Sequence, residues 1–322
     1  MKYNILVLSA GGPAGKALTK CISEKENIRV VCADCNLTNL EFVAPYSDKN
    51  YVIVSATNKN YINDVCNIIK KEKIDFLFAQ NDKEIEVLSA NRDKLTCKYF
   101  LPEHSIIKIC QDKEFLFKVL THNIPEPGDF KKHKYVWVRS TKGAGGKGSY
   151  KSDNWTNIEV WKELNPEIKD WQVSEYLPGK NVGVDIFMKD GKVLAYFMKE
   201  RLKYLPGASM SGVTGSADII KIIDNKLILD IAVDALRTLD LKISGVFGVD
   251  LKEDSEGVFK ITEINPGRFL TSSLIAFYLI GYSMPKFVIY SILSNNYDKY
   301  NKYKYVDYKV IRQVDSLPRL IK

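Results

Sequence analysis

Residues 246–268 read VFGVDLKEDSEGVFKITEINPGR. Two alternating apolar–polar runs, 246–252 and 258–264, flank Asp254-Ser255-Glu256-Gly257, a hairpin signature. Strand side chains repeat every two residues, so Glu263 and Asn265 share a face. A turn at Glu256-Gly257 sets Asp250 directly opposite Glu263; a turn over 254–257 makes them diagonal neighbours on that same face. Either register gathers two carboxylates and an amide. Buried acids repel strongly in a low dielectric, so the set calls for a cation. Hard oxygen donors suit Mg²⁺ shared with substrate phosphates. The alternative is three solvent-facing polar residues on a half-exposed sheet. Asn265-Pro266-Gly267-Arg268 adds a cation at once.

Working upstream, 182–188 and 193–199 are alternating runs around Asp190-Gly191, a second hairpin. Residues 227–239 carry helical amphipathicity. Lys199-Glu200-Arg201 precedes the Gly/Ser-rich loop 206–216, which is either a lid or a plain connector. Residues 136–148 read VWVRSTKGAGGKG. A strand ends in Arg139, and the loop after it carries Gly143, Gly145, Gly146 and Gly148 with two lysines. Glycines let backbone N–H groups approach phosphate oxygens, and cations offset their charge. The spacing is not that of a Walker A loop, and a flexible surface hairpin is the bland alternative. In WQVSEYLPGK, 171–180, a strand ends in Glu175 and a proline-stopped connector follows. Its free backbone groups suit an adenine edge, although strand–turn–strand reads the same way.

The first hundred residues alternate strands (4–9, 29–33, 51–54, 74–79) with helices (14–25, 61–71, 84–94). That order predicts a parallel sheet with right-handed crossovers. Ala10-Gly11-Gly12-Pro13-Ala14-Gly15 follows the first strand, and Asp34 ends the second, where a ribose-binding acid would sit. The G-x-G-x-x-G register fails, because positions 10, 12 and 15 are Ala, Gly and Gly. Glycine there is also the cheapest way to pack a helix on a strand. An oxidoreductase with a dinucleotide at this turn is one alternative function. Residues 106–122 read as helix broken at Gln111-Asp112, Pro125 and Pro127 mark a linker, and the tail from 295 has no usable period.

At 322 residues the chain has room for two domains. With 45% hydrophobic and 27% charged residues, disorder, collagen and coiled coil are excluded. The net charge of +8 is spread out with no basic block of five, which fits an anionic small molecule before nucleic acid. All six cysteines fall in the first 110 residues, and Cys32 and Cys35 lack a second pair or a His cluster for zinc. Reduced thiols in the cytoplasm are expected. The short apolar run 5–8 is no signal peptide. The most apolar stretch, 272–293, is cut by Pro285-Lys286, giving two buried helices and no membrane span.

In order, these segments resemble the ATP-grasp superfamily, near the branch holding the carbamoyl phosphate synthetase large subunit and carboxylate–amine ligases. The resemblance covers about residues 4–290. It implies an α/β Rossmann-like pre-ATP-grasp domain over 1–110 and an α+β ATP-grasp domain over 111–295. A glycine-loop subdomain would span about 125–180, and 296–322 would be a C-terminal tail. The first domain, with its stretch Asn81-Asp82-Lys83-Glu84, often helps form the acceptor-substrate site. Residue by residue, Lys113 after Asp112 matches a lysine that contacts nucleotide phosphate. Arg139 stands at a position held by lysine in most members and arginine in the carbamoyl phosphate branch. Gly145 and Gly146 belong to the phosphate-covering loop. Glu175, Tyr176 and Leu177 match the adenine-binding connector, and Asp250, Glu263 and Asn265 the magnesium ligands. Arg201 and Arg268 fall where catalytic arginines bind phosphate or carboxylate.

There are two departures. The ribose-binding glutamate of many members is replaced by Asn181, with Asp185 the nearest acid. Asn-Pro-Arg becomes Asn-Pro-Gly-Arg, which moves the arginine by one. The implied activity is an ATP- and Mg²⁺-dependent ligase, with two ions expected, that joins a small-molecule carboxylate to an amine through an acyl phosphate. It releases ADP and phosphate. Neither nucleic acid nor membrane is an expected partner, and family analogy extends to a homodimer. Two further functions fit the same segments: a kinase that stops at phosphoryl transfer, and a non-catalytic ATP-binding regulator.

Overall fold

Four strands, β1 (Tyr3–Val7), β2 (Ile28–Asp34), β3 (Lys49–Val52) and β4 (Phe76–Phe78), form an all-parallel sheet in the order β3-β2-β1-β4. The computed structural model describes residues 2–23, 27–143, 146, 148–204, 217–297, 303–312 and 319–321. Helices α1 (Pro13–Ser23), α2 (Leu37–Glu41), α3 (Tyr61–Glu72) and α4 (Asp82–Ala90) connect and follow these strands. The strands read as continuous apolar runs because both faces are covered. Ile5, Val7, Val30 and Phe76 pack with Leu18 and Ile22 of α1, while Leu6, Val31 and Leu77 pack with Val65 of α3 and Leu88 of α4. The order reverses between β1 and β4, which leaves a crevice at their carboxyl ends. Helix α4 starts at Asp82, earlier than expected. Asn81 caps it by accepting from the N–H groups of Lys83 (2.9 Å) and Glu84 (3.4 Å).

The expected break at Gln111-Asp112 separates α5 (His104–Gln111) from α6 (Lys113–Val119), and Asp112 is the N-cap of α6. A small antiparallel sheet follows in the order β6-β5-β7, from β5 (Val136–Ser140), β6 (Tyr150–Ser152) and β7 (Trp171–Glu175), with α7 (Trp155–Glu163) on it. Its core is Val136, Val138 and Ile158.

The floor of the second part is antiparallel, in the order β12-β11-β8-β9-β10-β13-β14. Its strands are β8 (Asn181–Lys189), β9 (Lys192–Tyr204), β10 (Ala217–Ile223), β11 (Gly245–Glu253), β12 (Phe259–Pro266), β13 (Lys309–Ile311) and β14 (Arg319–Ile321). Asp190 and Gly191 turn β8 into β9 with φ of 50° and 74°, the left-handed pair a two-residue hairpin needs. Helix α8 (Lys226–Leu239) covers one face. The other face packs on α9 (Thr271–Ile280) and α10 (Met284–Ser294), and through them on α1 and the first sheet. The two sheets therefore share one core.

The segment expected to be a plain tail instead supplies β13 and β14 at the sheet edge. The glycine-loop residue Gly145 and the loop 206–216 lie outside the described residues. Among the described residues no single helix is long and apolar enough to cross a membrane, and α9 and α10 meet at 90°. Among the described residues no cysteine is in a disulfide.

Candidate active site

The hairpin β11–β12 sets Asp250 opposite Glu263 and Gly248 opposite Asn265. This is the pairing expected of a turn at Glu256-Gly257, but a longer loop and a bulge produce it. The loop closes at Asp254–Val258 (2.9 Å), and Asp254 also accepts from the N–H groups of Glu256 (2.8 Å) and Val258 (2.9 Å). Beyond the turn Leu251 faces Ile261, so a bulge at Thr262 restores the pairing of Asp250 with Glu263.

Protein cations already surround these acids. Asp112 accepts from the N–H groups of Glu114 (3.1 Å) and Phe115 (3.2 Å), which fixes the first turn of α6 and with it Lys113. The buried Lys113 ammonium reaches Glu263 Oε1 (3.2 Å) and the Gly143 carbonyl (3.2 Å), so it ties the hairpin to the glycine loop. Burial alone would push the Glu263 carboxyl up; Lys113, Arg268 and Arg139 hold it below its ordinary value. Arg268 donates to Asp82 Oδ1 (2.6 Å) and to Asn265 Oδ1. Asn265 turns its amide nitrogen to Asp250 Oδ2 (3.3 Å). Among the described residues no three His, Cys, Asp or Glu side chains converge. The donor set is two carboxylates and an amide, hard oxygen chemistry that fits Mg²⁺.

Arg139 lies at the end of β5, where Trp137 shares its face. Its Nε donates to Gln172 Oε1 (3.0 Å), and its guanidinium lies over Phe117 at 5.5 Å. Its Nη2 is buried with no partner among the described residues. Burial lowers its pKa to about 10, against the pull of Glu263. A part-buried cation with a buried, unused donor is poised for an anion.

Glu175, Tyr176 and Leu177 line a pocket between the small sheet and the floor, with Arg139, Asn181 and Trp137. Oε1 of Glu175 accepts from the Glu126 N–H (2.8 Å) and from Lys260 (2.5 Å), which ties the connector to β12. Tyr176 N–H bonds the Tyr135 carbonyl (3.3 Å). Lys151 and Lys252 sit over the Tyr176 ring at 4.2 and 5.1 Å. Burial and the neighbouring Lys151 lower Lys252 to about 8.

Two expectations change. Asp185 does not reach the pocket. It is fully buried and accepts from Leu270 N–H (2.7 Å), Ser273 and Lys199 (3.3 Å), which anchors the start of α9. Asn181 does line the pocket, where its amide nitrogen donates to the Tyr204 hydroxyl (2.6 Å). Arg201, expected to meet phosphate or carboxylate, holds Asp250 Oδ1 (2.6 Å) and Asn181 Oδ1 (2.5 Å) instead. Gly146 lies in the described part of the loop, with φ of 70°. Sequence reasoning missed Trp137, Lys252 and Thr262. The first two follow from strand period, since each lies two residues from a chosen position.

Residues 110–272 match the model of the ATP-grasp domain. The chain belongs to the ATP-grasp family. Residues 5–98 match the PylC-like N-terminal domain. This ATP-grasp chain shares its fold with a biotin carboxylase from Campylobacter jejuni in complex with β,γ-ATP (TM-score 0.70, 13% identity, 97% of this chain and 76% of that one). It also matches the biotin carboxylase domain of the Hydrogenobacter thermophilus 2-oxoglutarate carboxylase with MgADP, ADP and bicarbonate (0.69, 13%, 97% and 75%). A third match is the L-amino acid ligase from Bacillus licheniformis (0.66, 13%, 96% and 79%). No curated protein matches this sequence.

Proposed function

We propose that this ATP-grasp protein is an ATP- and Mg²⁺-dependent ligase that activates a carboxylate as an acyl phosphate for attack by an amine. The observation that carries this reading is Arg139, whose buried Nη2 has no partner among the described residues, and which with Lys113 and Arg268 surrounds the Glu263 carboxylate. Cations and hard oxygen donors together match a nucleotide triphosphate with its metal. Similar folds hold β,γ-ATP and MgADP, and an L-amino acid ligase is among them.

Asp250, Glu263 and Asn265 would hold Mg²⁺, two ions by family analogy, which neutralises phosphate charge when bound. The connector at Tyr176–Leu177 would take the adenine through its backbone, and Asn181 the ribose side. Lys113, Arg139 and the loop glycines would hold the phosphates. Arg201 is a positioning residue that orients Asp250. Arg268 would orient the substrate carboxylate, whose oxygen attacks the γ-phosphorus as the bond to the β-phosphate oxygen breaks and ADP leaves. The amine then attacks the acyl carbon, phosphate departs with the C–O electrons, and the amine loses a proton. The protein's work is positioning and electrostatics. The substrates are small molecules, the compartment is the cytoplasm, and a homodimer is the assembly by family analogy.

The test is ADP release with pooled small carboxylates, with hydroxylamine as the trapping nucleophile. A hydroxamate in the mass spectrum is expected. A stable phosphorylated product untouched by hydroxylamine would make the protein a kinase.

A further inference from the structure

Lys199 of β9 is fully buried, and so are its partners, Asp185 of β8 and Ser273 of α9. Its ammonium donates to Asp185 Oδ2 (3.3 Å) and to Ser273 Oγ. Taking both ions out of water commonly costs more than their attraction returns, and apolar side chains of the same volume are often as stable. The pair is therefore a poor device for stability alone. Its surroundings give it another use.

The register of the floor places the pair beside a metal ligand. Gly183 of β8 faces Lys199 on one side and Asp250 on the other, and Asn181 faces Arg201. Strand period puts Asp185, Lys199, Arg201 and Asp250 on one face. Gly183 has no side chain, and the two cations lean over it. An added Cβ there would stand 3.1 Å from Lys199 Nζ and 3.3 Å from Arg201 Nη2. From that space Arg201 Nη2 reaches Asp250 Oδ1 (2.6 Å), while Lys199 reaches Asp185. Asp250 Oδ2 is left to the Asn265 amide (3.3 Å).

Two acids and two cations in one low-dielectric space have more than one way to pair. Arg201 feels both acids: burial would lower its pKa, and Asp250 and Asp185 are among the charges that raise it. Without the Lys199 charge, Asp185 is a buried acid with Arg201 over the neighbouring glycine. Without the Asp185 charge, Lys199 keeps Ser273, and Asp250 is the acid across Gly183. In either case the hold of Arg201 on Asp250 meets a competitor.

We propose that Lys199 is a positioning residue: bound by Asp185, it leaves Arg201 to Asp250 and stays off Asp250 itself, so that this carboxylate is set for Mg²⁺. This rests on the metal site of the ligase reading above and adds the pair that maintains it. Calorimetric titration with a non-hydrolysable ATP analogue, with and without Mg²⁺, would be run on wild type, Lys199→Met, Asp185→Asn and the double variant, with Tm measured alongside. Asn at 185 keeps an oxygen for the Leu270 N–H, so the start of α9 stays anchored. The Mg²⁺ response is the ratio of Kd without the ion to Kd with it. It should fall at least fivefold in each single variant and return to within twofold of wild type in the double variant, where neither competitor is charged. If Lys199→Met does not fold, Asp185→Asn and the double variant make the same comparison. A purely structural pair would move Tm and leave the Mg²⁺ response alone; a wild-type response in either folded single variant therefore overturns the proposal. So does a double variant as impaired as the singles. A wild-type protein that binds the analogue without regard to Mg²⁺ would instead sink the metal-site reading.

Discussion

Two glycine turns, one after β1 and one after β5, differ in kind in their surroundings. In the first turn the glycines are packing devices. A Cβ on Gly15 would stand 2.1 Å from the Ser9 carbonyl oxygen, and one on Gly11 2.3 Å from Asn39 Cβ. The acids there, Asp34 and Glu84, have backbone and hydroxyl neighbours, and Glu84 rises to about 7. In the second turn Gly143 has φ of 94° and nothing within 4 Å of an added Cβ, and its carbonyl takes Lys113. The nearby acid, Glu263, is ringed by Lys113, Arg268 and Arg139 and falls below its ordinary value. Burial pushes both glutamates up; the neighbours decide the sign. A glycine turn by itself says nothing of phosphate, and the cations around it do.

The largest expected effect that sharpens this contrast is Gly15→Ala. Its Cβ would meet only backbone atoms, which cannot yield cheaply, so the loss should be about 3 kcal/mol or more in urea unfolding. Gly143→Ala should cost only about 1 kcal/mol, from its left-handed backbone, yet slow ADP release about tenfold. Equal stability losses at the two sites would erase the distinction.

A smaller effect is the pH dependence of stability. The Glu84 carboxyl holds its proton more tightly folded than unfolded, so its contribution falls as pH rises from about 4.5 to about 7. The span amounts to roughly 3 kcal/mol. Glu263 has the opposite sign, with stability present above its ordinary value and lost as pH falls through the depressed one. Glu84→Gln should therefore flatten the loss between pH 5 and pH 7 in urea titrations. An unchanged slope would remove Glu84 as its source.

Much of the site was legible because strand chemistry repeats every two residues. That period alone groups Glu263 with Asn265, and Asp112 announces Lys113 as the first residue of a helix. The reason for the Asp250–Glu263 pairing was not legible, since a bulge at Thr262 leaves no mark in a threonine among β-formers. Asp185 shows a different limit. It shares a face with Asn181 and Asp250, but farther along β8, where Leu270 and Ser273 cover it. Period gives the face, and only tertiary packing says which part of that face stays open. Strands β13 and β14 are three residues each, β13 held by the distant β10 and β14 by β13, so they are too short for their sequence to carry a pattern.

Glu263 and its cations are proposed to form a metal–nucleotide site. Its most direct test is calorimetric titration of wild type and Glu263→Gln with a non-hydrolysable ATP analogue, with and without Mg²⁺. The predicted result is at least tenfold tighter binding with Mg²⁺ in the wild type and loss of that difference in the variant. Binding indifferent to Mg²⁺ in the wild type, or an equal Mg²⁺ response in Glu263→Gln, would contradict it.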